Sequence, residues 1–251
     1  MIALAAVTLV VCAPGYPGST AEAQPSMDAL AASLAAAGHL APGSLAAAYE
    51  ETEAGSLRRL AKPDAGLVLA PVAFFLDHER ELRLAPLLSV VPRGGQALER
   101  WTLVTGKGHP NTLDGYTVQS TAGYSQRFVR AAAPGLPKNV EIRGSGNVLS
   151  ALRRAADGEK IAVLLDGAQA ASLGSLPFAS SLATVATSAP MPVAVVATVG
   201  KRVDASRWKA LEPAFKAVAN DPALEGVRIA AFVPLDRAAL DGARSAYRRA
   251  Q

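Results

Sequence analysis

Leu113-Asp114-Gly115-Tyr116-Thr117-Val118-Gln119-Ser120-Thr121-Ala122-Gly123-Tyr124-Ser125 decides how this chain folds. Tyr116 to Gln119 has the alternation of a short strand, and the strand runs into hydroxyl and glycine residues where a helix is expected to begin near Ser120. A helix start leaves backbone N–H groups without intrahelical partners and carries a partial positive charge. With the hydroxyls of Ser120, Thr121 and Ser125 and the open backbone of Gly123 beside it, such a start is a generic oxyanion receptor. The same residues also read as an ordinary N-cap by Ser120 or Thr121.

Outward from this stretch the pattern repeats: an apolar run, a Gly/Pro/Ser turn, then a helix-period segment. That is the signature of βα units and an α/β fold with mostly parallel sheets and helices on both faces. In the first part, Val7–Val11, Leu45–Tyr49 and Leu67–Ala70 read as strands, and Met27, Leu30 and Leu34 form a helical stripe. In the second, Trp101–Thr105, Tyr116–Gln119, Val140–Ile142 and Ile161–Leu165 read as strands, with helices expected near Ser120 and Ser145. Pro92-Arg93-Gly94-Gly95 and Ser188-Ala189-Pro190-Met191-Pro192 break the pattern, and two crossings between two lobes imply a hinge. The expected division is residues 1–92 for the first lobe, 93–190 for the second, and 191–251 for the return crossing and the rest of the first. In the last part, Trp208, Leu211, Phe215 and Val218 mark a helix capped by Asp204 or Ser206, and a final helix runs through Leu240 and Tyr247.

Composition narrows the function classes. Half of the 251 residues are apolar, enough for two lobes with cores of their own. Lys and Arg outnumber Asp and Glu by only 25 to 21 and are scattered, so no basic stripe for nucleic acid forms. Cys12 is the sole cysteine, which excludes an internal disulfide and a cysteine metal cluster. His39, His78 and His109 are isolated, without zinc spacing. No Gly-x-Ser-x-Gly occurs, and Gly144-Ser145-Gly146 has Leu149 where a dinucleotide fingerprint needs its third glycine. The expectation is a binding protein without cofactor or metal, not an enzyme.

The N-terminus admits two readings. Apolar residues 2–13 followed by Ala21-Glu22-Ala23 resemble a secretory core and cleavage site, although no basic residue precedes them. Val7–Val11 reads equally as a buried first strand followed by the turn Pro14-Gly15-Tyr16-Pro17-Gly18, and this reading is preferred.

At this point a family resemblance enters. Ser120-Thr121-Ala122-Gly123-Tyr124 resembles the Ser-Thr-Ser-Gly loop of phosphate- and phosphonate-type solute-binding proteins of the type II periplasmic fold. Ala155-Ala156-Asp157-Gly158-Glu159-Lys160 with the run Ile161 to Asp166, the segment Thr187 to Pro192, and Ala70-Pro71-Val72-Ala73-Phe74 are similar to further passages of that family. The resemblance spans about residue 65 to about residue 235. It implies a two-lobed clamp in the periplasm that binds a small oxyanion between its lobes and hands it to a membrane permease of the ABC type.

The candidate ligand residues follow. In the second lobe they are Ser120, Thr121, Gly123, Tyr124 and Ser125, with Ser145 at the next turn and Asp166 and Gln169 after the strand Ile161–Leu165. Asp166 also reads as a plain helix cap. In the first lobe they are Tyr16, Ser19 and Thr20 on the first turn, and Pro71 and Phe74 on the third. Phe74 stands where the family has tyrosine, and Ala122 where it has serine, so two polar contacts are missing. That loss, with Val72, Phe74, Phe75 and Leu76 close by, motivates an alternative ligand, a sterol or another hydrophobe. A sensor or interaction module on the same fold is a third reading.

Overall fold

The apolar run Val7–Cys12 is a strand buried over its whole length, as expected of a chain segment covered on both faces. The computed structural model describes residues 6–16, 18–41, 43–109 and 112–250. Residues 1–5 and Pro17, which the leader and first-turn readings include, lie outside the described residues. In chain order the elements are β1 (Val7–Cys12), α1 (Thr20–Ala37), β2 (Leu45–Glu50), α2 (Glu53–Leu60), β3 (Ala65–Pro71), α3 (Val72–His78) and β4 (Leu84–Pro92). There follow β5 (Leu98–Glu99), β6 (Thr102–Gly106), β7 (Thr117–Ser120), α4 (Gln126–Ala132), β8 (Glu141–Gly144), α5 (Val148–Ala156), β9 (Ile161–Leu165) and α6 (Gly167–Ala171). Last come β10 (Leu182–Thr187), β11 (Met191–Pro192), β12 (Ala194–Val199), α7 (Ala205–Ala217), β13 (Ile229–Pro234) and α8 (Arg237–Arg249).

The chain forms two units. The first runs through Ala97 and resumes over Pro192–Asp236; the second comprises Leu98–Met191 and Arg237–Gln251.

In the first unit a six-stranded sheet has the order β13-β4-β12-β3-β1-β2. β1 pairs in parallel with β2, from Val7 opposite Leu45 to Cys12 opposite Glu50, and with β3 on its other side. β12, β4 and β13 join by antiparallel pairing. α1 begins with Ser19 and Glu22 in a reciprocal capping box and buries Met27, Leu30, Ala31 and Leu34. α7 starts at the expected Asp204 cap and adds Leu211 and Phe215. The Phe215 ring meets Phe232 edge-on at 5.1 Å. Each such side chain, fully buried, contributes about 1.5–3 kcal/mol. The apolar continuation after β3 forms helix α3, whose Val72, Ala73, Phe74, Phe75 and Leu76 are all buried.

The second unit holds a five-stranded sheet in the order β10-β6-β9-β7-β8. β8, β7 and β9 are parallel, with Thr117 opposite both Glu141 and Ile161, so their C-terminal ends share one edge. β6 runs antiparallel to β9 and β10 antiparallel to β6, which brings residues before β6 and after β10 to that same edge. Val104, Ala151, Leu152, Ala155, Val163 and Leu165 form the core between α5 and the sheet.

α8 differs from the expectation that residues 191–251 complete the first lobe: it packs on α4 in the second unit. Arg127 of α4 supplies the reason. Its Nε donates to the Tyr247 carbonyl at 2.8 Å and Nη2 to the Arg248 carbonyl at 3.1 Å, and its guanidinium lies 4.5 Å from the Tyr247 ring centre. One cation thus satisfies carbonyls in the last turn of α8 and stacks on an aromatic face.

Candidate ligand-binding site

Ser120 to Ser125, the later part of the stretch quoted first, lie at the C-terminal edge of the parallel strands in the second unit, where open α/β sheets bind ligands. The Ser120 hydroxyl is engaged structurally. It donates to the Leu164 carbonyl at 2.9 Å and accepts the Ala122 N–H at 3.2 Å. The Ser120 carbonyl accepts from Gly123 at 3.1 Å and from Ser145 at 2.9 Å, tying the turn after β7 to the turn after β8. α4 therefore starts not near Ser120 but at Gln126, capped by the Ser125 hydroxyl, which accepts the Phe128 N–H at 3.3 Å. The backbone turns back on Ser120 first. α5 likewise begins at Val148 under an Asn147 cap, three residues beyond Ser145.

Thr121 is different from its neighbours. It is 3% exposed, and its hydroxyl oxygen is buried without a hydrogen-bond partner. Tyr124 is half-buried beside it. Asp166 and Gln169 form a capping box at the start of α6: the Gln169 N–H donates to Asp166 Oδ1 at 2.8 Å, and the Asp166 N–H donates to Gln169 Oε1 at 3.1 Å.

Two residues at the same edge escaped the sequence reading. Glu99 precedes β6, and its Oε2 accepts the N–H of Gly167 at 2.8 Å. Burial pushes its carboxyl up to about 7; the Gly167 N–H opposes this, the negative charge of Asp166 reinforces it, and the nearby Trp101 indole opposes it more weakly. Trp101 is 2% exposed, and its backbone N–H donates to the Ser188 hydroxyl at 2.9 Å. Its ring meets Phe128 edge-on at 5.1 Å, and its indole nitrogen, close to Glu99, lacks a hydrogen bond of good geometry. Since Thr102 is opposite Leu165, Trp101 flanks the end of β9 on one side, and Thr121, following β7, flanks it on the other.

In the first unit, Tyr16 is exposed in the turn after β1, closed by its N–H to the Ala13 carbonyl at 3.1 Å. Ser19 caps α1, and the Thr20 N–H donates to Glu51 Oε2 at 3.0 Å. Gly18 has φ +126°, and a Cβ there would sit 3.4 Å from the Tyr49 hydroxyl, so this turn and the end of β2 are neighbours. Pro71 is the half-buried N-cap of α3. Phe74, expected at a ligand wall, is fully buried with its ring centre 4.6 Å from that of His78.

No protein-family model matches the chain. No curated protein matches it in sequence. Solved structures do match. A Xanthomonas citri protein bound to ATP superposes with a TM-score of 0.71 at 17% identity, covering 98% of each chain. The binding-protein component of a phosphonate ABC transporter from Pseudomonas aeruginosa gives 0.64 at 11% identity, covering 98% of this chain and 88% of that one. PhnD1 from Prochlorococcus marinus, in complex with methylphosphonate, gives 0.56 at 12% identity, covering 96% and 97%.

The chain has the two-lobed fold of periplasmic solute-binding proteins.

Loops at strand ends, like those gathered here, can change without changing the scaffold that carries them. Among the described residues, no cluster of three His, Cys, Asp or Glu has the arrangement to hold a metal ion. No described helix is long and apolar enough to cross a membrane. Glu99 left little trace in the sequence, because the N–H that fixes its carboxyl belongs to a turn 68 positions away.

Proposed function

We propose that this chain is the ligand-binding component of a transport system and that it takes a small oxyanion of the phosphonate or phosphate kind at the strand-end loops of the second unit. The observation that carries this reading is the Thr121 hydroxyl, buried and without a partner in a turn that Ser120 holds fixed. A buried polar group left unsatisfied costs about 1–3 kcal/mol, a cost removed when a ligand oxygen accepts its proton. The Trp101 indole N–H, beside the Glu99 carboxyl, stands at the same edge. Tyr124 and Ser145 stand on the adjoining turns.

The hydrophobe reading loses its motivation. Val72, Phe74, Phe75 and Leu76 are buried by the fold itself, so these four do not line a wall for a lipid. The solved complex with methylphosphonate and the phosphonate-transporter component, both of the same fold, support the oxyanion class. A periplasmic location, a permease partner and the absence of catalysis go with this reading.

Calorimetry with methylphosphonate, phosphate and sulfate tests it. Saturable binding to one of the three is expected, weakened about tenfold or more by Thr121→Val, which removes the hydroxyl and keeps the shape. Absence of binding to all three, with lipid co-purifying in native mass spectrometry, overturns it.

A further inference from the structure

Glu99 is held in a place that is costly for a carboxylate. Its carboxyl is largely removed from water, fixed through Oε2 by the Gly167 N–H at 2.8 Å, and set beside Asp166. Gly167 is packed so tightly on it that a Cβ at position 167 would lie 2.8 Å from Glu99 Cβ and 3.1 Å from Oε2. On the far side of the β9 end stands the unpartnered Thr121 hydroxyl, and on the near side the Trp101 indole, beside the Glu99 carboxyl. An anion drawn to these two donors arrives at an edge that already holds two carboxyl groups.

Three like charges in one desolvated place repel strongly, and the repulsion is relieved when one group takes a proton. Asp166 Oδ1 accepts the Gln169 N–H in the capping box, while the upward shift caused by burial is seen at Glu99. Glu99 Oε2 accepts the Gly167 N–H, and the Trp101 indole stands beside the carboxyl. Of the charged groups around it, Asp166 acts from the β9–α6 turn, and Arg100, its chain neighbour, places Nη1 on the Ser188 carbonyl at 2.8 Å.

We propose that Glu99 is a specificity-determining residue of this site, which presents its carboxylic acid rather than its carboxylate to the bound oxyanion, so that the protein takes up a proton as the ligand binds. The inference rests on the oxyanion reading above and deepens it. The acid is a third hydrogen-bond donor after Thr121 and Trp101, and it selects against ligands that bring an ammonium group to this position, since those would require the carboxylate. The burial that raises the Glu99 pKa to about 7 in the free protein leaves the acid form well populated at neutral pH.

The test is the affinity for methylphosphonate from about pH 6 to about pH 8.5, in the wild type and in Glu99→Gln, a neutral isostere of the acid. The ligand's own ionisation is common to both proteins and cancels in their ratio. Wild-type affinity is expected to fall relative to Glu99→Gln by about tenfold across this range. A ratio that stays constant overturns the proposal and leaves the oxyanion reading standing; absence of wild-type binding to any of the oxyanions at about pH 6 overturns the oxyanion reading itself. A second measurement needs no variant. In wild-type protein labelled at glutamate carboxyl carbons, the Glu99 carboxyl is expected to move its midpoint upward from about 7 on adding methylphosphonate. An unmoved or lowered midpoint overturns the proposal.

Discussion

Gly123 lies so close to Arg143 that a Cβ on the glycine would fall 2.3 Å from the Arg143 carbonyl oxygen and 2.5 Å from the Gly144 nitrogen. The contact is backbone to backbone, so no side chain can swing aside to relieve it. It joins the turn that carries Thr121 to the end of β8, and the bonds from the Gly123 and Ser145 N–H groups to the Ser120 carbonyl lie across the same junction. Gly123→Ala is therefore expected to destabilise the protein by about 1–3 kcal/mol, the range of overpacking in a well-packed site. It should weaken ligand binding more than a remote substitution of equal thermal cost. Denaturation midpoints and calorimetry on the same samples check it, and wild-type stability in Gly123→Ala would show that the two turns are not held together.

Much of this arrangement was legible in advance, for physical reasons that differ by element. β1 was readable because a strand covered on both faces needs an unbroken apolar run, and Val7 to Cys12 supplies one. The Asp204 cap of α7 was readable because a carboxylate before a helix-period stripe has few other uses. The start of α4 was not. Ser120, Thr121, Gly123 and Ser125 suit a helix cap and a tight turn equally, and the choice is made by Leu164, a partner on another strand. Nor was the docking of α8, since an amphipathic stripe announces that a face is buried but not which unit buries it.

The N-terminal strand leads to a second prediction. β1 is an inner strand, paired with β2 on one side and β3 on the other, and its Leu9 and Val11 belong to the core of the first unit. Cleavage after Ala23 would remove that strand, the Ser19 cap and the first residues of α1 together. Terminal sequencing of the folded protein isolated from the cells that make it is expected to find Val7–Cys12 retained. A functional mature form beginning at Gln24 would contradict the assignment of this strand.

A third concerns acid. Thr8 donates to Asp64 Oδ2 at 2.6 Å, and Arg59 reaches both carboxylate oxygens, at 2.6 and 3.1 Å. The Arg59 hydrogen bonds first, and the Thr8 hydroxyl second, hold the Asp64 carboxyl well below the usual carboxylate range. A group whose pKa is lower folded than unfolded contributes stability that is full above its unfolded value and is lost as pH falls toward the folded one. Its side chain is 43% exposed, so the tie is screened and contributes about 1 kcal/mol or less at neutral pH. Asp64→Asn is expected to melt slightly lower than wild type at about pH 7, with the gap closing steadily below about pH 4. A gap that persists at low pH would show that Asp64 acts by packing and not by charge.

The last prediction separates the two units through α8. Arg127 holds the end of this helix by two carbonyl bonds and by stacking on Tyr247, and Leu240 and Ala243 are its buried face. Arg127→Ala leaves those carbonyls to water and removes the stacked cation, a loss of about 1–2 kcal/mol. The helix should then fray while the first unit stays closed. Hydrogen exchange is the measurement that resolves this. Faster exchange is expected across α8 and α4, with β1 and β3 protected as in the wild type, because no part of their sheet depends on Arg127. Loss of protection in β1 and β3 with α4 unchanged would mean that the terminal helix stabilises the first unit after all, as the bare sequence suggested.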